Sequence, residues 1–199
     1  MFVGVTGQIG SGKSTAARIL GELGGPVISA DEVGRYVVEH SKALLTRLAK
    51  TFGADILIAP GELDRQKLAN RAFADSAHRD KLNQLVHPYL LRELDRRMKK
   101  QAEKNRVVIV DAALIPNWGM CSTLNFVLLV HASAKLRHER LVARGVDPKD
   151  ARARQKAQLP FAAYRECADR MVLNNSSEER LRRKLERIWR REILKRIDR

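Results

Sequence analysis

Residues 7 to 15 read Gly7-Gln8-Ile9-Gly10-Ser11-Gly12-Lys13-Ser14-Thr15, an unbroken G-x-x-x-x-G-K-S/T loop that directly follows the apolar run Phe2-Val3-Gly4-Val5. Such a loop dictates its neighbours. A buried strand delivers it, its backbone N–H groups wrap phosphates, and a helix starting near Ser14 points its positive end at them. Gly7, Gly10 and Gly12 allow the close approach of an anion because no Cβ intervenes. Lys13 is placed to neutralise the β and γ phosphates, and the Ser14 hydroxyl to ligate magnesium. The pattern Ala16, Ala17, Ile19, Leu20, Leu23 continues as an amphipathic helix.

Strand-like apolar runs recur at Phe2–Val5, Pro26–Ser29, Val107–Val110, Phe126–Val130 and Met171–Leu173, with helical patterns between them. Alternation of this kind predicts an α/β fold with a parallel five-stranded sheet flanked by helices. We read the 199 residues as a single domain. Within it, residues 31–104 form a helical insertion without a convincing strand, and 141–165 a lid-like segment. Gly53 and Pro60-Gly61 mark breaks in the insertion, and Pro88 predicts a kink or boundary near His87. Near the end, Leu181, Leu185, Ile188, Trp189, Ile193 and Ile197 form an apolar stripe on a basic helix.

Thirty-eight Lys and Arg against twenty-three Asp and Glu give a formal net charge of +15. Nucleic acid is the obvious partner for such an excess. Here, however, the cations are spread over Arg92–Lys104, Lys135–Lys156 and Arg180–Arg199 with acidic residues among them and few aromatics, the composition of solvated helix faces. A nucleotide-gated nucleic-acid-binding protein therefore stands as the rival from another class. No apolar run is long enough to span a bilayer. Cys121 and Cys167 have no metal-ligand spacing and read as reduced thiols, which with the absence of a targeting segment predicts a cytoplasmic protein.

Neither an N-K-x-D nor an L-S-G-G-Q string is present, so the GTPase and ABC branches drop out and a small-molecule kinase remains. Phosphoryl transfer needs a held donor, a metal, an aligned acceptor oxygen and cations around the transferring group. Asp31 follows the second strand at the edge where open α/β folds bind ligands, and is either the base for an acceptor hydroxyl or a helix N-cap. Asp111 ends the third strand, as a magnesium-supporting carboxylate or as a strand-end cap. Arg140 and Arg144 lie four apart on one helix face, and Arg152, Arg154 and Gln158 follow in the lid-like stretch.

The chain resembles the dephospho-coenzyme A kinases along most of its length. The similarity is carried by Val5-Thr6 with the phosphate loop, Ser29-Ala30-Asp31, Phe52-Gly53-Ala54, Gly61-Glu62-Leu63-Asp64-Arg65 and Leu82-Asn83-Gln84-Leu85-Val86-His87-Pro88. It continues through Glu139-Arg140-Leu141, Arg154-Gln155-Lys156-Ala157-Gln158, Ala168-Asp169 and Asn174-Asn175. The resemblance implies phosphorylation of the ribose 3′-hydroxyl of dephospho-coenzyme A, with ATP and magnesium as donor. It implies Asp31 as base and Lys13 and Arg140 on the transferring phosphate. ATP then contacts Gly7, Gly10, Ser11, Gly12, Lys13, Ser14, Thr15, Arg144 and Asn175, the acceptor Asp31, His87 and Arg154, and the metal Ser14 and Asp111. Ser29 replaces the first aspartate of the family's D-x-D turn, Ala113 to Asn117 replace its Pro-Leu-Leu-Phe-Glu, and Ser176 replaces a glycine. A nucleoside or nucleotide kinase of the same fold is the nearest alternative.

Overall fold

The computed structural model describes residues 1–59, 61–72 and 74–197. By contact the chain divides into a sheet unit, Met1–Ser29 with Lys100–Arg199, and a helical unit, Ala30–Lys99.

The sheet unit begins with β1 (Phe2–Thr6) and α1 (Lys13–Gly24), followed by β2 (Val27–Ser29). The chain returns through β5 (Val108–Asp111) and β6 (Phe126–His131) and continues into α6 (Ala134–Val142), α7 (Pro148–Lys156) and α8 (Phe161–Cys167). It closes with β7 (Arg170–Leu173), α9 (Glu178–Ile188), a π-helical turn at Trp189–Ile193 and α10 (Leu194–Ile197). All five strands run parallel in the order β2-β5-β1-β6-β7. Val3, Val5, Ile109, Phe126, Leu128 and Val130 are fully buried. The central strands β5, β1 and β6, covered on both faces, read as continuous apolar runs, while the edge strands β2 and β7 are partly exposed at Val27 and Leu173.

Helix α1 turns Ala16, Ala17, Ile19 and Leu20 into the core, where Leu181, Leu185, Ile188, Trp189 and Ile193 of the final helices join them. The π-helical turn absorbs the five-residue step from Ile188 to Ile193, so the apolar stripe stays on the core.

The helical unit contains α2 (Ala30–His40), α3 (Lys42–Phe52), α4 (Arg65–Ala72) and the long α5 (Ser76–Ala102). The hydroxyl of Ser41 caps α3 by accepting from Leu44 N at 3.3 Å. Arg71 grips Asp55 with bonds of 2.7 and 2.6 Å. Two expectations are corrected here. A short antiparallel hairpin, β3 (Leu57–Ala59) with β4 (Glu62–Leu63), stands where no strand was expected, because segments of three and two residues are too short for alternation to register. Of the kink or boundary expected at Pro88, the boundary is absent, since α5 runs through it from Ser76 to Ala102. The expected Pro60-Gly61 break involves Pro60, which lies outside the described residues.

The cysteines are a third correction. Cys121 and Cys167 form a disulfide, with Cα atoms 5.3 Å apart across 46 residues of sequence. Sequence spacing gave no sign that the loop after β5 and the end of α8 meet. With the thiols paired, cysteine usage no longer argues for a reducing compartment. Among the described residues no helix is long and apolar enough to cross a membrane.

Candidate active site

The phosphate loop joins β1 to α1 at the carboxyl end of the sheet. Gly10 and Gly12 have φ of 78° and 90°. A Cβ at Gly10 would lie 2.6 Å from the backbone oxygen of Arg137, and one at Gly12 would collide with the side-chain amide of Asn174. Glycine is thus required twice over, by backbone angle and by close packing. Ser11 is buried at 1% exposure, and its Oγ has no hydrogen-bond partner among the described residues. Ser14, by contrast, stands exposed in the first turn of α1.

Lys13 places its ammonium on the Asp111 carboxylate, with side chains only 12% and 8% exposed. Sheet register explains the meeting, since Asp111 pairs with both Val5 of β1 and Ser29 of β2. Thr6, also buried, donates from its hydroxyl to the Ala113 carbonyl at 3.3 Å.

Behind the loop stand groups that fix its backbone. Arg140 donates to the carbonyls of Gly10 at 3.3 Å, Ser11 at 3.2 Å and Asn174 at 2.9 Å. Burial, with Arg144 nearby, pulls the Arg140 pKa below its ordinary value, so a desolvated cation borders the loop. Asn174, buried at 5% exposure, donates from Nδ2 to the Ser11 carbonyl at 2.8 Å. Arg137, 7% exposed, donates to Ala132 O at 3.2 Å and Ile9 O at 3.5 Å, and burial lowers its pKa as well. From the lid-like segment, Gln158 Oε1 accepts from Ile9 N at 2.8 Å, and Gln8 Nε2 donates to Leu159 O at 3.3 Å.

Of the remaining sequence candidates, Arg144 and Arg154 are exposed. Asn175 accepts from Ser133 N at 3.0 Å, and its neighbour Asn174 is the member of the pair that touches the loop. In the helical unit, Asp31 is exposed in the first turn of α2 and has no hydrogen-bond or ion-pair partner among the described residues. His87 is half-buried on α5, and burial lowers its pKa. Sequence reasoning missed Arg137 altogether. An arginine in a basic helix carries no mark of burial, and only its place three residues before Arg140 distinguishes it.

Chemically, a loop of backbone amides with Lys13, Arg137 and Arg140 around it and a single carboxylate at its edge suits a polyanion. Among the described residues no group of three or more His, Cys, Asp or Glu could hold a metal ion.

A family model described as dephospho-CoA kinase (CoaE) matches residues 1–180. A dephospho-CoA kinase of Corynebacterium glutamicum is 37% identical over 188 residues, which cover 94% of this chain and 96% of that one. A crystal structure of a Thermus thermophilus protein superposes with a TM-score of 0.78 at 31% identity, covering 96% of this chain and 97% of the other. A dephospho-CoA kinase from Campylobacter jejuni, at 22% identity and TM-score 0.66 over 95% of each chain, shares the fold.

Proposed function

The chain belongs to the dephospho-CoA kinase family, and from that premise we propose that it transfers the γ-phosphoryl group of ATP to the ribose 3′-hydroxyl of dephospho-coenzyme A, the last step of coenzyme A synthesis. The observation that carries this reading is the family match over residues 1–180, set on an intact phosphate loop.

Phosphoryl transfer asks a protein for positioning and charge more than for covalent chemistry. The triphosphate lies along the loop, held by the amides of Gly7 to Thr15, and Arg144 and Asn175 border the nucleotide. As it enters, the Lys13 ammonium exchanges the Asp111 carboxylate for β- and γ-phosphate oxygens. Arg140, braced on the loop carbonyls, adds positive potential where negative charge spreads in the transition state. Asp31 accepts the proton of the 3′-hydroxyl. The freed oxygen bonds to the γ-phosphorus as the bond to the β-bridging oxygen breaks, and ADP departs. His87 and Arg154 bind the acceptor, and the 141–165 segment excludes water as it closes.

Magnesium fits the donor set. The exposed Ser14 hydroxyl and the Asp111 carboxylate are hard oxygen ligands, and this ion is ordinarily held by one or two protein oxygens together with substrate phosphates. When bound, it neutralises charge across the β and γ phosphates.

The test is an assay with ATP, magnesium and dephospho-coenzyme A, the product identified by mass and by the position of the new phosphate. A 3′-phosphorylated product, with adenosine and uridine turned over far more slowly, is the expected result. Phosphorylation of a nucleoside in preference to dephospho-coenzyme A would overturn the acceptor, and no ATP turnover with any acceptor would overturn the kinase.

A further inference from the structure

β7 is the outer strand at one end of the sheet, with β6 on one side only. In a parallel pair successive residues turn their N–H and C=O groups to opposite sides. Asn174 N donates to His131 O, so the groups of Arg170 and Val172 face β6 and those of Met171 and Leu173 face outward. Lys184 Nζ takes the Leu173 carbonyl at 2.7 Å. The Met171 and Leu173 amides remain directed out of the sheet.

Beside this edge lies a groove of about 480 Å³, between β7 and the face of the last helices that carries Lys184, Arg187, Ile188 and Arg191. Its apolar floor on the helix side comes from Val172 and Ile188, and on the other face of the strand Leu173 is 46% exposed. Its rim is basic. Arg170 is spent on Glu192, but Arg187 and Arg191 are exposed, one helical turn apart, and have no partner among the described residues. Natural sheets protect open edges with charge, and Arg170 and Lys184 do that here. A guanidinium pair over an apolar floor exceeds what edge protection needs.

We propose that this edge is a docking surface for an acid-rich, extended segment of a partner protein, added to β7 as a further strand. Val172 lies in the core cluster with Leu181 and Leu185 of α9, so alternation puts Met171 and Leu173 on the opposite face of the strand. An added strand would alternate likewise, with carboxylates on the α9 side meeting Arg187 and Arg191, and apolar side chains on the other side meeting Met171 and Leu173. A second copy of this chain does not fit, because pairing β7 with itself would bring Arg187 and Arg191 against their own duplicates. Nucleic acid would satisfy the arginines and leave both the edge amides and the apolar floor unused.

The full chain is titrated with a fluorescent peptide of four Glu-Val repeats, with its Lys-Val counterpart, with a version N-methylated at alternate residues and with poly-uridylate RNA. Saturable binding of the Glu-Val peptide at about 100 µM or tighter in low salt is expected, weakened roughly tenfold or more by Arg187→Glu with Arg191→Glu, without loss of kinase turnover. Slowed hydrogen exchange at Met171 and Leu173, and no binding by the Lys-Val or N-methylated peptides, complete the expected pattern. Absent saturation overturns the proposal. So does equal binding of the N-methylated peptide, or RNA binding that depends on the same two arginines while the Glu-Val peptide is inert.

Discussion

In the sheet unit nearly every group around the phosphate loop is fixed by another. Asn174 and Arg140 hold the Ser11 carbonyl, Arg137 and Gln158 hold opposite ends of the Ile9 peptide groups, and Lys13 rests on Asp111. The helical unit is held differently. Among its polar contacts, Arg71 meets Asp55 between exposed side chains, and the mostly buried Glu93 takes Arg96 and Arg97 along α5, while its candidate base Asp31 has no partner among the described residues. The contrast fits a division of labour. A donor shared by many kinases can be met by a rigid, pre-arranged anion site, whereas a base must keep its carboxylate open for the acceptor.

The largest effects should come from the Lys13–Asp111 pair. Lys13→Ala removes the cation proposed to meet the transferring phosphate, so turnover should fall roughly 100-fold or more. It also strands a carboxylate only 8% exposed, which should cost about 3 kcal/mol and lower Tm by roughly 6–12 °C. The double variant Lys13→Ala with Asp111→Ala should regain much of the Tm and none of the turnover. A single variant that melts like the wild type would show that the pair is structurally idle.

Next in size, Asn174→Ala should cost about 1–2 kcal/mol in thermal melts and raise KM for ATP about tenfold, because a buried loop carbonyl loses one of its two donors. Asn175→Ala should do less, since that side chain serves Ser133 rather than the loop. The reverse ranking would break the assignment of rigidity to Asn174.

The smallest effect belongs to the helical unit. Arg96, with Arg97 adding and burial opposing, holds the Glu93 carboxyl down to about 2, against an ordinary 4.5. A depressed carboxylate contributes stability that is complete above its unfolded pKa and is lost as pH falls through the folded one. Wild type should therefore exceed Glu93→Gln by at most about 1 kcal/mol at pH 7, with the gap closing between about pH 4.5 and about pH 2. A gap unchanged at pH 2 would mean that packing, not charge, is what Glu93 supplies.

Much of the sheet unit was legible because its signals are local. A strand, a glycine-rich loop and a helix follow one another within 24 residues, and strands buried on both faces announce themselves as apolar runs. What sequence did not disclose depends on distant partners. Asn174 and Asn175 look alike until burial separates them, Arg137 looks like any surface arginine, and Cys121 meets Cys167 only once the loop after β5 packs by α8. In the helical unit the signals were weaker for a different reason. A hairpin of such short strands has no room for periodicity, and neighbouring residues carry the helix through Pro88.

The central claim, that the donor is held by the sheet unit while Asp31 acts on the acceptor, is tested most directly on Asp31→Asn. Phosphoryl transfer to dephospho-coenzyme A and ATP affinity are measured on the same preparation. The substitution keeps the shape and removes the basic oxygen, so transfer should fall roughly 100-fold or more while ATP binds with nearly unchanged affinity. Wild-type transfer, or a loss of ATP binding alongside the loss of transfer, would contradict it.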